Sequence, residues 1–337
     1  MKTRHYTIPI FIPEMACPHR CVFCNQFTIT GKSNKVDEDQ IIRTIEEHLL
    51  TFREGEKRVE IGFFGGSFTG LPLDQQERFL SMVQPYLNSD RVSGIRLSTR
   101  PDYISKPVLE LLAVYGVTTI ELGAQSLDDT VLELSKRGHT AAQTAEASRQ
   151  VLDAGFELGL QMMVGLPGDT PEKTRATASG IVDLGASSTR IYPALVIRDT
   201  PLHRWFIKGG YNPLTLGEAV LWTLPLVQLF EKAGIRILRM GLHPSEGILS
   251  GSALVAGPFH PAFRELVMTE IWSELLSPLL QLSGGDMVEL QVPPGEENFA
   301  IGYRGQNKKR LLARFRKVRV VGDTTIRERG NFRYRLS

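Results

Sequence analysis

Between residues 58 and 197 the chain alternates short apolar runs of strand length with longer amphipathic runs of helix length. The pattern predicts strands at 58–64, 94–99, 117–123, 157–164 and 188–197, with an earlier one at 7–13 (TIPIFIP). It predicts helices near 37–53, 74–88, 105–115, 128–136, 140–154 and 171–184. Strands separated by helices cannot pair through tight hairpins, so each returns to the sheet by a crossover and the sheet is parallel. In barrels of such units the chemistry sits at the C-terminal ends of the strands. The loops that follow the strands are therefore where a site is sought.

The loop after the first strand holds every cysteine of the chain, in the run Cys17-Pro18-His19-Arg20-Cys21-Val22-Phe23-Cys24. Three thiolates spaced Cys-x3-Cys-x2-Cys can converge on one soft-metal site. Two plainer readings compete: cysteine is often just a small buried hydrophobe, and Cys-x2-Cys pairs bind structural zinc. Zinc wants a fourth ligand, and His19, lying between two of the thiols, would close a tetrahedron only under strain. Iron–sulfur is the better match. With no fourth cysteine to complete the usual shell, a [4Fe–4S] cluster held by Cys17, Cys21 and Cys24 keeps one iron open, able to chelate a small molecule directly.

Motifs follow at successive strand ends: Gly65-Gly66-Ser67, then Ser98-Thr99-Arg100-Pro101-Asp102, then Gly123-Ala124-Gln125-Ser126. Farther along stand Arg137-Gly138-His139, Gly165-Leu166-Pro167-Gly168 and Ile191-Tyr192-Pro193-Ala194-Leu195-Val196-Ile197. With the cysteine loop, these make the chain resemble the radical S-adenosylmethionine (SAM) superfamily over about residues 7–200. The closest match is to Elongator catalytic-subunit proteins, through about residue 265, and next to oxygen-independent coproporphyrinogen oxidases.

The resemblance implies a fold, an activity and roles for residues. The fold is α/β, a partial (β/α)6 radical SAM barrel over residues 1–200, with a helical extension at 201–283 closing the barrel's open side. The activity is reductive cleavage of SAM to methionine and a 5′-deoxyadenosyl radical that abstracts hydrogen from a substrate. Cys17, Cys21 and Cys24 become the cluster ligands and the catalytic centre. Phe23 packs near the adenine, and the backbone of Gly65, Gly66 and Ser67 meets the SAM amino group. Gln125 reaches the ribose hydroxyls and Arg137 the methionine carboxylate. Ser98 stands where the relatives carry glutamate, and Gln161 where coproporphyrinogen oxidases carry aspartate, so two carboxylates of the pattern are missing. Tyr192 and Arg198 are candidates for the substrate side. Met162 and Met163 read as core or adenine-packing, His139 as turn-stabilising, and His243 and His260 as loop histidines, which a site can recruit but which usually have no such role. Elongator proteins continue into an acetyltransferase domain, for which this chain ends too early.

Charge is unevenly placed. The net +2 conceals twelve Lys/Arg against two Asp/Glu in residues 301–337, a local +10, which leaves −8 for the rest. Residues 284–337 read as a separate small α+β module. A strand, a short helix, Ile301-Gly302-Tyr303-Arg304-Gly305, a basic helix and further strands near 317–321 and 331–336 resemble a truncated KH RNA-binding fold. There Gly302 and Gly305 would let the backbone approach phosphates, while Arg304, Lys308, Lys309 and a helix N-terminus add positive potential. The plainer alternative is a solvated basic surface on a structural cap.

No apolar run reaches the roughly 18 residues a membrane span needs, and the start lacks a signal-peptide core, so a cytoplasmic protein is expected. The combined reading is a radical SAM enzyme modifying a nucleoside of tRNA or rRNA, served by a low-potential electron donor such as flavodoxin or ferredoxin. Two alternatives stay open: a coproporphyrinogen-oxidase-like enzyme acting on a small molecule, and a non-catalytic RNA-binding protein with a vestigial cluster site. With all three cysteines spent on one cluster, chemistry that needs a second cluster or a further reactive cysteine is not expected.

Overall fold

The computed structural model describes residues 4–12, 21–25, 38–52, 57–89, 91–244, 246–282 and 285–337. Cys17 and His19 lie outside the described residues.

β1 (Arg4–Ile12) pairs in parallel with β2 (Lys57–Gly65), and α1 (Glu38–Thr51) lies between them in the chain. α2 (Leu73–Asn88), β3 (Gly94–Thr99), α3 (Lys106–Val114) and β4 (Val117–Gln125) continue the alternation. Next come α4 (Asp129–Leu134), α5 (Ala141–Asp153), β5 (Glu157–Val164), α6 (Pro171–Asp183) and β6 (Ser188–Pro193). After a two-residue strand β7 (Val196–Ile197) come α7 (Pro201–Ile207), α8 (Leu216–Lys232) and β8 (Arg236–Met240). The helices α4 to α8 each begin on a side chain that accepts from the first-turn amides: Asp128, Thr140, Thr170, Thr200 and Thr215. These caps fix where each crossover turns into helix.

The main sheet has the order β1-β2-β3-β4-β5-β6-β8, all parallel, and curves into a half-barrel. It contains one strand more than the six expected: β8 adds to β6 from within the stretch assigned to the helical extension. The expected strand 188–197 is divided, its end forming β7, which pairs with β9 (Leu254–Ala256) instead. Between these lies α9 (Glu246–Leu249), and α10 (Phe263–Leu276) follows.

Every strand has two chemically different faces, because alternate side chains point to opposite sides. Outward, Ile61, Phe63, Ile95, Leu97, Ile120, Leu122, Leu158 and Leu160 are buried in the core beneath the helices. Inward, the same strands place charges. Arg96 donates to Glu60 (2.9 Å) and to Glu121 (2.8 Å), and Arg190 donates to both oxygens of Glu121 (2.5 and 3.1 Å). His5 Nε2 lies 2.7 Å from Glu60 on the other side. Glu60, Arg96 and Glu121 are each at most 2% exposed. This ion ladder fills the barrel below the later strand residues that line the site.

β10 (Met287–Val292), α11 (Glu297–Ile301), α12 (Gln306–Leu312), β11 (Lys317–Gly322) and β12 (Arg333–Leu336) complete the chain. Their sheet has the order β11-β10-β12, with β10 parallel to β11 and antiparallel to β12. The succession of strand, helix, Gly-x-x-Gly, helix and strand is as expected. Packing, however, runs across the expected boundary at 284: Trp272, Leu276 and Leu279 share one core with Val288, Leu290, Val292, Leu311 and Phe315. Trp272 Nε1 donates to Glu296 (2.8 Å), and Arg329 bridges Glu296 to Glu231 of α8. Among the described residues no helix is long and apolar enough to cross a membrane.

Candidate active site

A cavity of about 530 Å³ opens at the C-terminal ends of the main-sheet strands. That is within the size range of small-molecule and cofactor sites. Of the residues singled out by sequence, Cys21, Phe23 and Cys24 line it, with Gly65, Gly66 and Ser67 after β2. Ser98 of β3, Gln125 of β4, Arg137 and Gln161 of β5 complete that wall. Met162 and Met163 divide by strand face, Met162 being fully buried in the core and Met163 lining the cavity. Tyr192 lines it as well; Arg198 does not, its Nε donating to the carbonyl of Ser252. The Gly165–Gly168 turn stays behind the wall, where Tyr211 donates to the Gly165 carbonyl (2.6 Å).

The backbone shows why these residue types stand where they do. Gly65 has φ +107°, and a Cβ there would fall 2.6 Å from the carbonyl oxygen of Ile12, so β1 and β2 close only over a glycine. Gln125 ends β4 in the left-handed region, φ 66°, which is costly for a side-chain-bearing residue. Its Oε1 is buried with no partner among the described residues, an acceptor aimed into the site. Arg137 is almost fully buried; Nη1 donates to Cys21 Sγ (3.2 Å) and Nη2 to the Gly123 carbonyl (2.6 Å). Beside it, His139 Nε2 lies 3.3 Å from the Ala124 carbonyl. Burial, and after it the charges of Arg137 and Arg100, push the His139 pKa down to about 3, so the imidazole is neutral. The contact joins the 137–139 turn to the end of β4.

Sequence reasoning named Arg100 and Gly123 only as members of motifs and gave no role to them, to Arg190 or to Arg239, all of which line the cavity. Arg100 is gripped by Asp102 through two 2.9 Å bonds and donates to the Arg137 carbonyl. Gly123 leaves the space that Gln125 and Arg137 occupy, for a Cβ there would lie 3.0 Å from Gln125 Nε2. The available signal was strand parity: Gly123 and Arg190 lie two residues from Gln125 and Tyr192, on the same inward face.

A model of the Radical SAM superfamily matches residues 13–179, and one of the Radical SAM C-terminal domain matches residues 186–273. The chain belongs to the radical SAM superfamily. Among similar proteins, the tRNA uridine(34) acetyltransferase of Dehalococcoides mccartyi (strain CBDB1) is 25% identical over 243 residues, 62% of this chain and 53% of that one. Elongator complex protein 3 of Homo sapiens is 29% identical over 258 residues, 63% of this chain and 47% of that one. The chain spans about half the length of these curated relatives. Its fold is shared with archaeal Methanocaldococcus infernus Elp3, at TM-score 0.65 and 21% identity, over 81% of this chain and 64% of that one.

Members of the radical SAM superfamily bind a [4Fe–4S] cluster and SAM. The described residues fit both groups: two thiols on one turn, a guanidinium already donating to one sulfur, a glycine-cleared wall and an orphaned amide oxygen.

The basic C-terminal loop is a different case. Gly302 has φ +83°, and a Cβ would meet Asn307 N at 2.9 Å and Thr269 Cγ2 at 3.0 Å, so packing against α10 already requires glycine. The amides of Gly302, Tyr303 and Gly305 donate to Asn298, Thr269 and Gly302 respectively. α12 has only seven residues. The expected backbone cradle is therefore largely committed within the protein. What faces solvent is side-chain charge: Arg304, Lys308 and Lys309 are all exposed.

Proposed function

We propose that this chain is a radical SAM enzyme that acts on a nucleoside of RNA, a tRNA foremost, in the cytoplasm. The observation that carries the reading is the convergence of Cys21, Cys24 and all eight sequence-derived cofactor candidates on one cavity. In this proposal Cys17, Cys21 and Cys24 would hold the cluster, and the chemistry it would supply, given electrons from a flavodoxin- or ferredoxin-like donor, is reductive cleavage of SAM to methionine and a hydrogen-abstracting 5′-deoxyadenosyl radical. The chain's own groups position and shield. Gln125 Oε1 accepts from a ribose hydroxyl, Arg137 keeps Cys21 in place, and Ser98 and Gln161 offer neutral hydrogen bonds where relatives carry acids. Phe11, Phe23, Phe64 and Met163 give the cavity apolar walls that exclude water from a reactive intermediate.

RNA as substrate is supported by the names of the relatives and by the exposed cations of the C-terminal loop. The test is anaerobic turnover of reconstituted protein with SAM, dithionite and total RNA, following 5′-deoxyadenosine and nucleoside masses. RNA-stimulated cleavage with a new nucleoside mass, abolished by Cys24→Ala, is the expected result. Cleavage that RNA changes in neither rate nor product would transfer the reading to a small-molecule substrate.

A further inference from the structure

The cavity lining contains the four arginines Arg100, Arg137, Arg190 and Arg239 and not one aspartate or glutamate among the described residues. Three of these guanidinium groups are accounted for. Arg100 is held by Asp102, Arg190 by Glu121, and Arg137 by Cys21 Sγ and a carbonyl.

Arg239 is the exception. It sits near the end of β8, the edge strand opposite β1, and no carboxylate among the described residues comes within ion-pair distance of it. Its Nε donates to the Gly241 carbonyl (3.0 Å), and its Nη2 lies 3.1 Å from His243 Nδ1. With Nδ1 accepting that bond, the neutral imidazole carries its proton on Nε2 and is a second donor. Burial, and Arg190 nearby, push the Arg239 pKa down, while burial and then Arg239 push that of His243 down. Both groups are thus short of negative charge in a partly desolvated place. A half-buried cation without a counter-ion is costly unless a ligand supplies one. None of the residues assigned to cluster or SAM comes from β6 or β8, so this end of the cavity is open to another ligand.

We propose that Arg239 and His243, with the Tyr192 hydroxyl beside them, form a subsite for the oxyanion of the second substrate, a carboxylate or phosphate bound by the guanidinium fork and the imidazole N–H. The subsite deepens the radical SAM reading, on which it rests only for the term substrate; anion binding itself is independent of that reading. The two possible sources of the oxyanion differ in shape, planar for a carboxylate and tetrahedral for a phosphate.

The test titrates the full-length protein in low-salt chloride buffer with acetate and, separately, with inorganic phosphate, following heat of binding and the thermal midpoint. One probe is expected to bind saturably. Arg239→Gln is expected to weaken it by about tenfold or more, the loss of a charged hydrogen-bond pair, with Arg239→Lys recovering part of the affinity. His243→Ala weakens it less. Preference for acetate assigns a small carboxylate substrate, and preference for phosphate a phosphorylated one. Equal affinity in wild type and Arg239→Gln, no saturable binding of either probe, or an Arg239→Lys protein that is folded by circular dichroism yet binds no better than Arg239→Gln overturns the subsite. Failure of wild-type protein to cleave SAM while Arg239-dependent binding persists would instead sink the radical reading and leave the subsite standing.

Discussion

Gln125 reaches the cavity only because its backbone tolerates φ 66°. A side-chain-bearing residue there costs on the order of 1–2 kcal/mol, which glycine avoids. Gln125→Gly is therefore expected to stabilise the fold by about 1 kcal/mol in urea unfolding while weakening SAM binding in equilibrium dialysis. A variant that loses both stability and binding would show that the conformation is not strained. His139, two positions from Arg137, makes a second prediction. Its pKa is about 3 in the folded state against 6.5 for the free side chain, so between these values the unfolded chain binds more protons. Stability falls as pH drops through that window, by about 1.4 kcal/mol per unit. Glu60 adds loss of the same sign below its ordinary 4.5: burial pushes its pKa up, but the His5 hydrogen bond and the charges of Arg96, His5 and Arg58 together outweigh it and hold it at about 2. Urea midpoints measured from pH 7 to pH 4 should show a slope that His139→Asn largely removes above pH 5.

At the scale of the element, the inward faces of the strands decide more than their apolar runs. Arg96 is wedged between two buried carboxylates, so Arg96→Met takes away the cation they share, leaving Glu60 to His5 and Arg58 and Glu121 to Arg190, and is expected to cost roughly 3 kcal/mol in denaturant unfolding. An unchanged midpoint would mean that the ladder is not what holds the barrel interior. The strands were legible because their outward faces are uniformly apolar and period-two, as in Ile95 and Leu97 or Ile120 and Leu122. β8 was not legible: Arg236-Ile237-Leu238-Arg239-Met240 carries charge on both faces and lies at the sheet edge, where burial imposes no pattern. The cavity wall was legible wherever a turn motif marks a strand end. Arg190 and Arg239 were not, since a cation within a strand reads as surface until the curvature of the sheet turns it inward. Gly302 and Gly305 also separate at this scale. Gly302→Ala meets both a backbone clash and a positive φ and is expected to cost roughly 2–4 kcal/mol, while Gly305→Ala, with open space around it, costs about 1 kcal/mol. Thermal unfolding of the two variants checks the order.

For the whole molecule, that difference determines how RNA binding should be probed. A lesion at Gly302 disturbs the core that α10 shares with the C-terminal sheet, so weaker binding there would report folding. Replacing Arg304, Lys308 and Lys309 with alanine removes charge from solvent and leaves Trp272 and its neighbours in place. Affinity for tRNA is then expected to fall, with the slope of log K against log salt shallower by about 2, at roughly 0.7 to 0.9 for each phosphate no longer neutralised. An unchanged slope would move the RNA-binding surface to another face. The ion ladder has its own consequence at this scale. Glu60, Arg96 and Glu121 close the strand-beginning end of the barrel, so the cavity behaves as a well and not as a tunnel. Two ligands sharing that well are expected to bind in order, the inner one first, which product-inhibition patterns would check.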